Sequence, residues 1–153
     1  MINGWWIAHS ILIGAVLWAL FAWAAFASPL VITNDRGGVV AERVEQVRAM
    51  RQAGAVVRIK GRCDSTCTML LGLPNACVYP SARLGFHGPQ SQFYGVSLPP
   101  AEFERWSRVM ADHYPPKLRA WFMQTARHTT MSVVVMSGAD AIRLGAKPCE
   151  GKS

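Results

Sequence analysis

Ala55-Val56-Val57-Arg58-Ile59-Lys60-Gly61-Arg62-Cys63-Asp64-Ser65-Thr66-Cys67-Thr68-Met69-Leu70-Leu71-Gly72-Leu73 is the stretch on which the fold turns. Val56, Val57 and Ile59 make Ala55 to Lys60 a strand, Gly61 to Ser65 reads as a turn, and Thr66 to Leu73 follows as an apolar helix. Upstream, Leu30 to Thr33 is a shorter β-rich run ending in Asn34-Asp35-Arg36-Gly37-Gly38. Val40, Val44, Val47 and Arg51 then mark one side of an amphipathic helix closed by Gly54. Successive strand-turn-helix units predict an α/β fold. Downstream, Pro74-Asn75 breaks the apolar helix, and Cys77 to Tyr79 and Arg83 to Phe86 read as short strands. Glu102, Phe103, Trp106 and Met110 open another helix, and Pro115-Pro116 separates it from Lys117 to Arg127, which carries Leu118, Trp121 and Phe122. Ser137 to Gly145 is a short final helix stopped by its glycine.

The 153 residues are 51% hydrophobic and carry a net charge of +7, which suits one folded domain and excludes a disordered tail. Asp, Glu, Lys and Arg are all confined to positions from Asp35 onward. Before them, Trp5 to Ala27 is a 23-residue run interrupted only by His9, Ser10 and Gly14. At about 1.5 Å per residue it is long enough to cross a hydrocarbon core about 30 Å thick. Trp5, Trp6 and Trp23 near its ends suit a membrane interface. Signal anchor, cleaved export signal and buried core helix compete for this run. Ala25-Phe26-Ala27 matches a cleavage pattern, yet the run exceeds a usual signal core and no Lys or Arg precedes it, which favours the uncleaved anchor. The expected division is therefore an anchor or signal over 1–29 and an α/β domain over 30–153.

Charge and cysteines point to different compartments. The basic residue nearest the run is Arg36 on its C-terminal side, which by the positive-inside rule favours a cytoplasmic domain. Cys63, Cys67, Cys77 and Cys149 form an even set behind an export-like segment, which favours an oxidising, exported location such as a bacterial periplasm, and this is the stronger pull. A Cys63–Cys67 bond would brace the turn around Ser65, and Cys77–Cys149 would tie the final segment to a core strand, but the sequence leaves the pairing open. Zinc is the rival use of these cysteines, and their spacing matches structural zinc sites poorly. His9, His113 and His128 lack metal-ligand spacing, so no metal or cofactor is expected. Arg43, Arg48 and Arg51 alternate with Glu42 and Glu45 on an exposed helix face. With no basic stripe interleaved with aromatics, nucleic acid is not an expected partner.

Chemistry concentrates where Ser65 opens a helix. There its hydroxyl is exposed, and the following backbone N–H groups point at any anion beside it. A serine hydroxyl needs a base to become a nucleophile, and His87 in Leu84-Gly85-Phe86-His87-Gly88-Pro89 ends a short strand just downstream. Gly37-Gly38 provides backbone that can approach a ligand and offer a further N–H to an oxyanion. Taken alone, a serine at a helix start is more often a plain N-cap and a histidine at a strand end more often structural.

In order, Asn34-Asp35-Arg36-Gly37-Gly38, Asp64-Ser65-Thr66-Cys67 and Pro80-Ser81-Ala82-Arg83-Leu84-Gly85-Phe86-His87 resemble the Clp-protease/crotonase superfamily, most closely the Clp-type serine proteases and their small exported relatives. The resemblance spans Leu30 to Gly145. It implies that Ser65 is the nucleophile, His87 the general base, and Gly38 and Thr66 the donors of the oxyanion amides. It also implies a peptide or protein substrate and a homo-oligomer assembled through the helix after the histidine. The chain departs from the family where an aspartate should precede the last helix, since Met131-Ser132-Val133-Val134-Val135-Met136 contains no carboxylate. Asp112, Asp140 and Thr129 are candidate substitutes. Asp35-Arg36 also stands where the family has serine-proline. Two functions follow: a membrane-linked or exported serine hydrolase, most simply a peptidase, or a catalytically degenerate Clp-like domain that binds a peptide or protein partner. An acid on His87 favours the first, and a groove closed by the Gln90 to Pro100 loop favours the second.

Overall fold

The structure is a computed structural model that describes residues 28–93 and 96–150. Its elements are β1 (Leu30–Asp35), α1 (Val40–Gln52), β2 (Val57–Asp64), a 3-10 helix (Ser65–Gly72), β3 (Ala76–Val78), β4 (Arg83–Phe86), α2 (Pro100–Ala111), α3 (Pro116–Gln124), a 3-10 turn (Ala126–His128), β5 (Val134–Ser137) and α4 (Gly138–Arg143). The five strands make one mixed sheet in the order β1-β2-β4-β5, with β3 also paired to β2. β2 is parallel to β1, β3 and β4, whereas β5 runs antiparallel to β4. The long β2 serves two neighbours in turn, pairing Val57 to Ile59 with β3 and Arg62 to Asp64 with β4. The α/β expectation therefore holds at the level of a mixed sheet with helices.

Alternation along the strands decides what the sheet buries. Ile32 on β1, Val57 and Ile59 on β2 and Leu84 and Phe86 on β4 face the core, while Val31, Arg58 and Lys60 face solvent. The 3-10 helix runs inside the molecule, with every residue from Thr66 to Leu71 buried. Phe86 meets Tyr114 and Trp121 edge to face at centroid distances of 5.7 and 5.2 Å, and Tyr114 meets Phe122 at 5.2 Å. Such pairs contribute about 0.5–1.5 kcal/mol each beyond their buried area, and here they anchor the end of β4 just before His87.

Several boundaries differ from those the sequence predicts. The turn expected over Gly61 to Ser65 is instead the continuation of β2 through Asp64, because β1 on one side and β4 on the other supply ladder partners to residues of modest strand propensity. The helix expected over Thr66 to Leu73 is of the 3-10 type, a distinction hydrophobic periodicity misses when every side chain is buried. Val134–Ser137 adds a strand absent from the sequence reading. The helix expected over Lys117 to Arg127 stops at Gln124 and passes into the short 3-10 turn. The apolar run Trp5 to Ala27 lies outside the described residues, and among those described no helix is long and apolar enough to cross a membrane.

All four cysteines are bridged, Cys63 to Cys67 and Cys77 to Cys149, leaving none of their thiolates for a metal. The second bridge holds the C-terminal segment against β3, where Val78 donates its N–H to Lys147 and Cys149 donates back to Val78. Structural disulfides of this kind fit an oxidising, exported environment.

Candidate active site

Parallel strands end on the same side, and the segments that leave those ends meet there. β1, β2 and β4 are mutually parallel through β2, so the Gly37-Gly38 turn, Ser65 and His87 each follow a carboxyl end of that set. They line one cavity of about 650 Å³ together with Thr66. All four sequence-predicted site residues, Ser65, His87, Gly38 and Thr66, are therefore brought together.

Ser65 is the change of direction itself. Its φ of 57° makes it the only non-glycine with positive φ among the described residues. For an L-residue this conformation costs about 1–2 kcal/mol, so its neighbours must hold it. Thr68 donates its hydroxyl to the Ser65 carbonyl at 2.7 Å, and Tyr114 lies 2.8 Å from the Thr68 oxygen. With the Thr68 proton spent on Ser65, Tyr114 must be the donor to Thr68. Burial pushes the Tyr114 hydroxyl's pKa well up, outweighing the hydrogen bond with Thr68 that pulls it down, so the phenol keeps the proton this chain needs. The buried Cys63–Cys67 bridge spans the same turn.

Gly37 packs directly on this turn. It has φ of 86°, and a Cβ there would lie 2.6 Å from the Ser65 Cβ and 2.9 Å from the Thr66 nitrogen, so only glycine brings the two loops this close. Asp35 shapes the loop by accepting the Gly37 N–H at 2.8 Å and receiving Arg43 on both carboxylate oxygens at 3.0 and 2.8 Å. Asp35 thus has a local structural job in this loop. Thr66 reaches back with its hydroxyl to the Gly38 carbonyl at 3.4 Å. The Gly38 N–H has no protein acceptor among the described residues. Thr66, in the first turn of its helix, has no intrahelical acceptor for its own.

Asp64, just before the serine, is buried and paired with Arg62 and with Arg83, the latter at 2.9 Å. It clips β2 to β4 immediately below the site.

His87 is half-buried at the cavity wall and makes no hydrogen bond to Ser65 among the described residues. None of Asp112, Asp140 and Thr129 bonds to its ring among the described residues. Asp112 is exposed and pairs with Arg119, and Asp140 is occupied with Ser137 and Arg143 at the start of α4. Thr129 acts through its backbone, accepting the Gly88 N–H at 2.9 Å. Nδ1 of His87 lies instead 2.6 Å from the carbonyl oxygen of Gly88. Asp35 and Gly37 left a legible sign in the Asp-x-Gly spacing of a side-chain-stabilised turn. Tyr114 and the Gly88 carbonyl left none.

The cavity is mainly apolar, with Val39, Val40, Leu98, Trp106 and Met110 on its walls and Arg36 as its one Lys, Arg, Asp or Glu among the described residues. Gln90, Ser91, Gln92, Phe93 and Leu98, from the Gln90 to Pro100 loop whose closure of the groove would favour the binding reading, line the walls of this cavity. All five also border a second cavity of about 580 Å³ that includes Phe103, Thr130 and Met131. Compared with known protein families and curated proteins, the chain matches no family model and no curated sequence.

Proposed function

We propose that this chain is an exported or membrane-linked serine hydrolase of the Clp/crotonase type, most simply a peptidase. The observation that carries the reading is Ser65, held at φ 57° where a parallel strand passes into a helix and opening into the cavity that also receives His87. A strained serine at such a turn is what a displayed nucleophile requires, whereas a plain N-cap needs no positive φ. In this reading Ser65 Oγ attacks a substrate carbonyl and His87 takes its proton. The N–H groups of Gly38 and Thr66 hold the oxyanion, and His87 returns the proton to the leaving group. Water then releases the acyl group by the same path. The apolar walls favour a substrate with hydrophobic flanks. The N-terminal apolar run and the disulfides support export or membrane attachment.

The second reading, a peptide-binding domain with a retired site, draws on His87 having no carboxylate partner among the described residues. A fluorophosphonate serine probe separates the two. Labelling of the folded chain that disappears in Ser65→Ala and falls at least about 10²-fold in His87→Ala supports the hydrolase. No labelling of a demonstrably folded protein refutes it and leaves the binding domain.

A further inference from the structure

We infer that the backbone carbonyl of Gly88 orients His87, standing where a catalytic acid would stand, and holds the ring as the Nδ1–H tautomer with Nε2 free as the base. This rests on the hydrolase reading of the same site. A carbonyl oxygen can only accept, so a 2.6 Å contact with Nδ1 requires the proton on that nitrogen, and in the neutral ring the lone pair is then on Nε2. A general base needs that lone pair, and in the serine triad an acid on the other nitrogen secures it.

The carbonyl is fixed well enough for the task. Gly88 is buried and donates its N–H to the Thr129 carbonyl at 2.9 Å. Its Cα is packed so tightly that an added Cβ would lie 1.9 Å from the Arg127 oxygen and 3.1 Å from the Phe103 ring. Pro89 restricts the residue before it, which limits how far the Gly88 carbonyl can rotate. Glu104 receives Arg127 at 2.6 Å and Arg108 at 2.8 Å, tying the 3-10 turn that carries Arg127 to α2. A neutral carbonyl supplies direction and tautomer but not the counter-charge of a carboxylate. That assigns this site the orienting half of the acid's role.

The test is nitrogen NMR of the full chain with ¹⁵N-labelled histidine, His87 being assigned by comparison with His87→Gln, run beside the serine-probe assay. At a pH where the ring is neutral, the expected spectrum has Nδ1 protonated and Nε2 unprotonated. Free neutral histidine prefers the opposite form, so the result is not a default. In Gly88→Ala the peptide must move by about 1 Å, and a misplacement of that size is expected to slow probe labelling about 10²-fold and to lose the Nδ1–H preference. Should that variant fail to fold, the wild-type spectrum still decides. An Nε2–H ring in the wild type overturns the inference whether or not the serine labels. An Nδ1–H ring without labelling keeps the Gly88 bond and overturns the hydrolase instead.

Discussion

The strain at Ser65 can be measured without any substrate by comparing Ser65→Gly with Ser65→Ala. Both variants lack the hydroxyl, so they differ only in the Cβ that makes φ 57° costly. Glycine removes a penalty of about 1–2 kcal/mol. Against this stand about 0.5–1 kcal/mol of extra chain entropy in the unfolded state and a few tenths for the lost contact of the Cβ with Gly37. The balance puts Ser65→Gly about 0.5 kcal/mol above Ser65→Ala. Ala49 supplies the control, being exposed and in the right-handed interior of α1, where Ala49→Gly should cost about 1 kcal/mol. The two sites thus differ by about 1.5 kcal/mol for the same Ala/Gly exchange. Urea denaturation with the disulfides intact resolves this as a midpoint shift of about 0.2–0.5 M upward at position 65 and a downward shift at position 49. If glycine destabilises position 65 as much as position 49, Ser65 stores no backbone strain and the case for a displayed nucleophile loses its main support.

Thr68→Val should destabilise the fold by about 1–3 kcal/mol, because it removes the donor to the Ser65 carbonyl and strands the buried Tyr114 hydroxyl, while Tyr114→Phe alone should cost less; chemical denaturation of both checks the order. Replacing both Cys77 and Cys149 by alanine should cost about 4 kcal/mol and the Cys63/Cys67 pair about 2, since their sequence separations are 72 and 4, and equal losses in thermal unfolding would contradict the chain-entropy account. The hydrogen bonds from Arg108 and Arg127 lower the Glu104 pKa. A carboxylate with a depressed folded pKa adds stability above its unfolded value of about 4.3 and loses it as pH falls through the folded value, so wild type should lose more stability on acidification than Glu104→Gln. Parallel acid titrations of the two proteins would expose a mistaken assignment.

Much of the site was legible because its parts are locally encoded. Ser65 followed a β-branched run and opened an apolar one, His87 ended a short strand, and Gly37-Gly38 interrupted an otherwise patterned segment. Each is a break in hydrophobic period that needs only neighbours in sequence to be seen. The strand at Val134 to Ser137 carries a comparable local sign in Val133-Val134-Val135, but the run is too short to stand out without its partner β4. Other features had no local sign. Gly61 and Asp64 are disfavoured in strands, yet β2 runs on to Asp64 because β1 and β4 supply ladder partners to its second half. Tyr114 reaches Thr68 across 46 positions and Thr66 reaches Gly38 across 28, which no periodicity records.

Although it missed β5 and the length of β2, the amino-acid sequence by itself determined the alternation of strands and helices from β1 to β4 and marked Ser65 and His87 as candidate nucleophile and base. Those depend on residue type and spacing along a few consecutive positions. Tertiary structure decided that the Gly37 loop lies against the Ser65 turn, that the cysteines pair as 63 with 67 and 77 with 149, and that a glycine carbonyl rather than an acid meets His87. These depend on parallel strand register and on close packing between segments distant in the chain. A backbone carbonyl is common to every residue, so only its direction in the folded molecule makes the one at Gly88 a partner for the histidine.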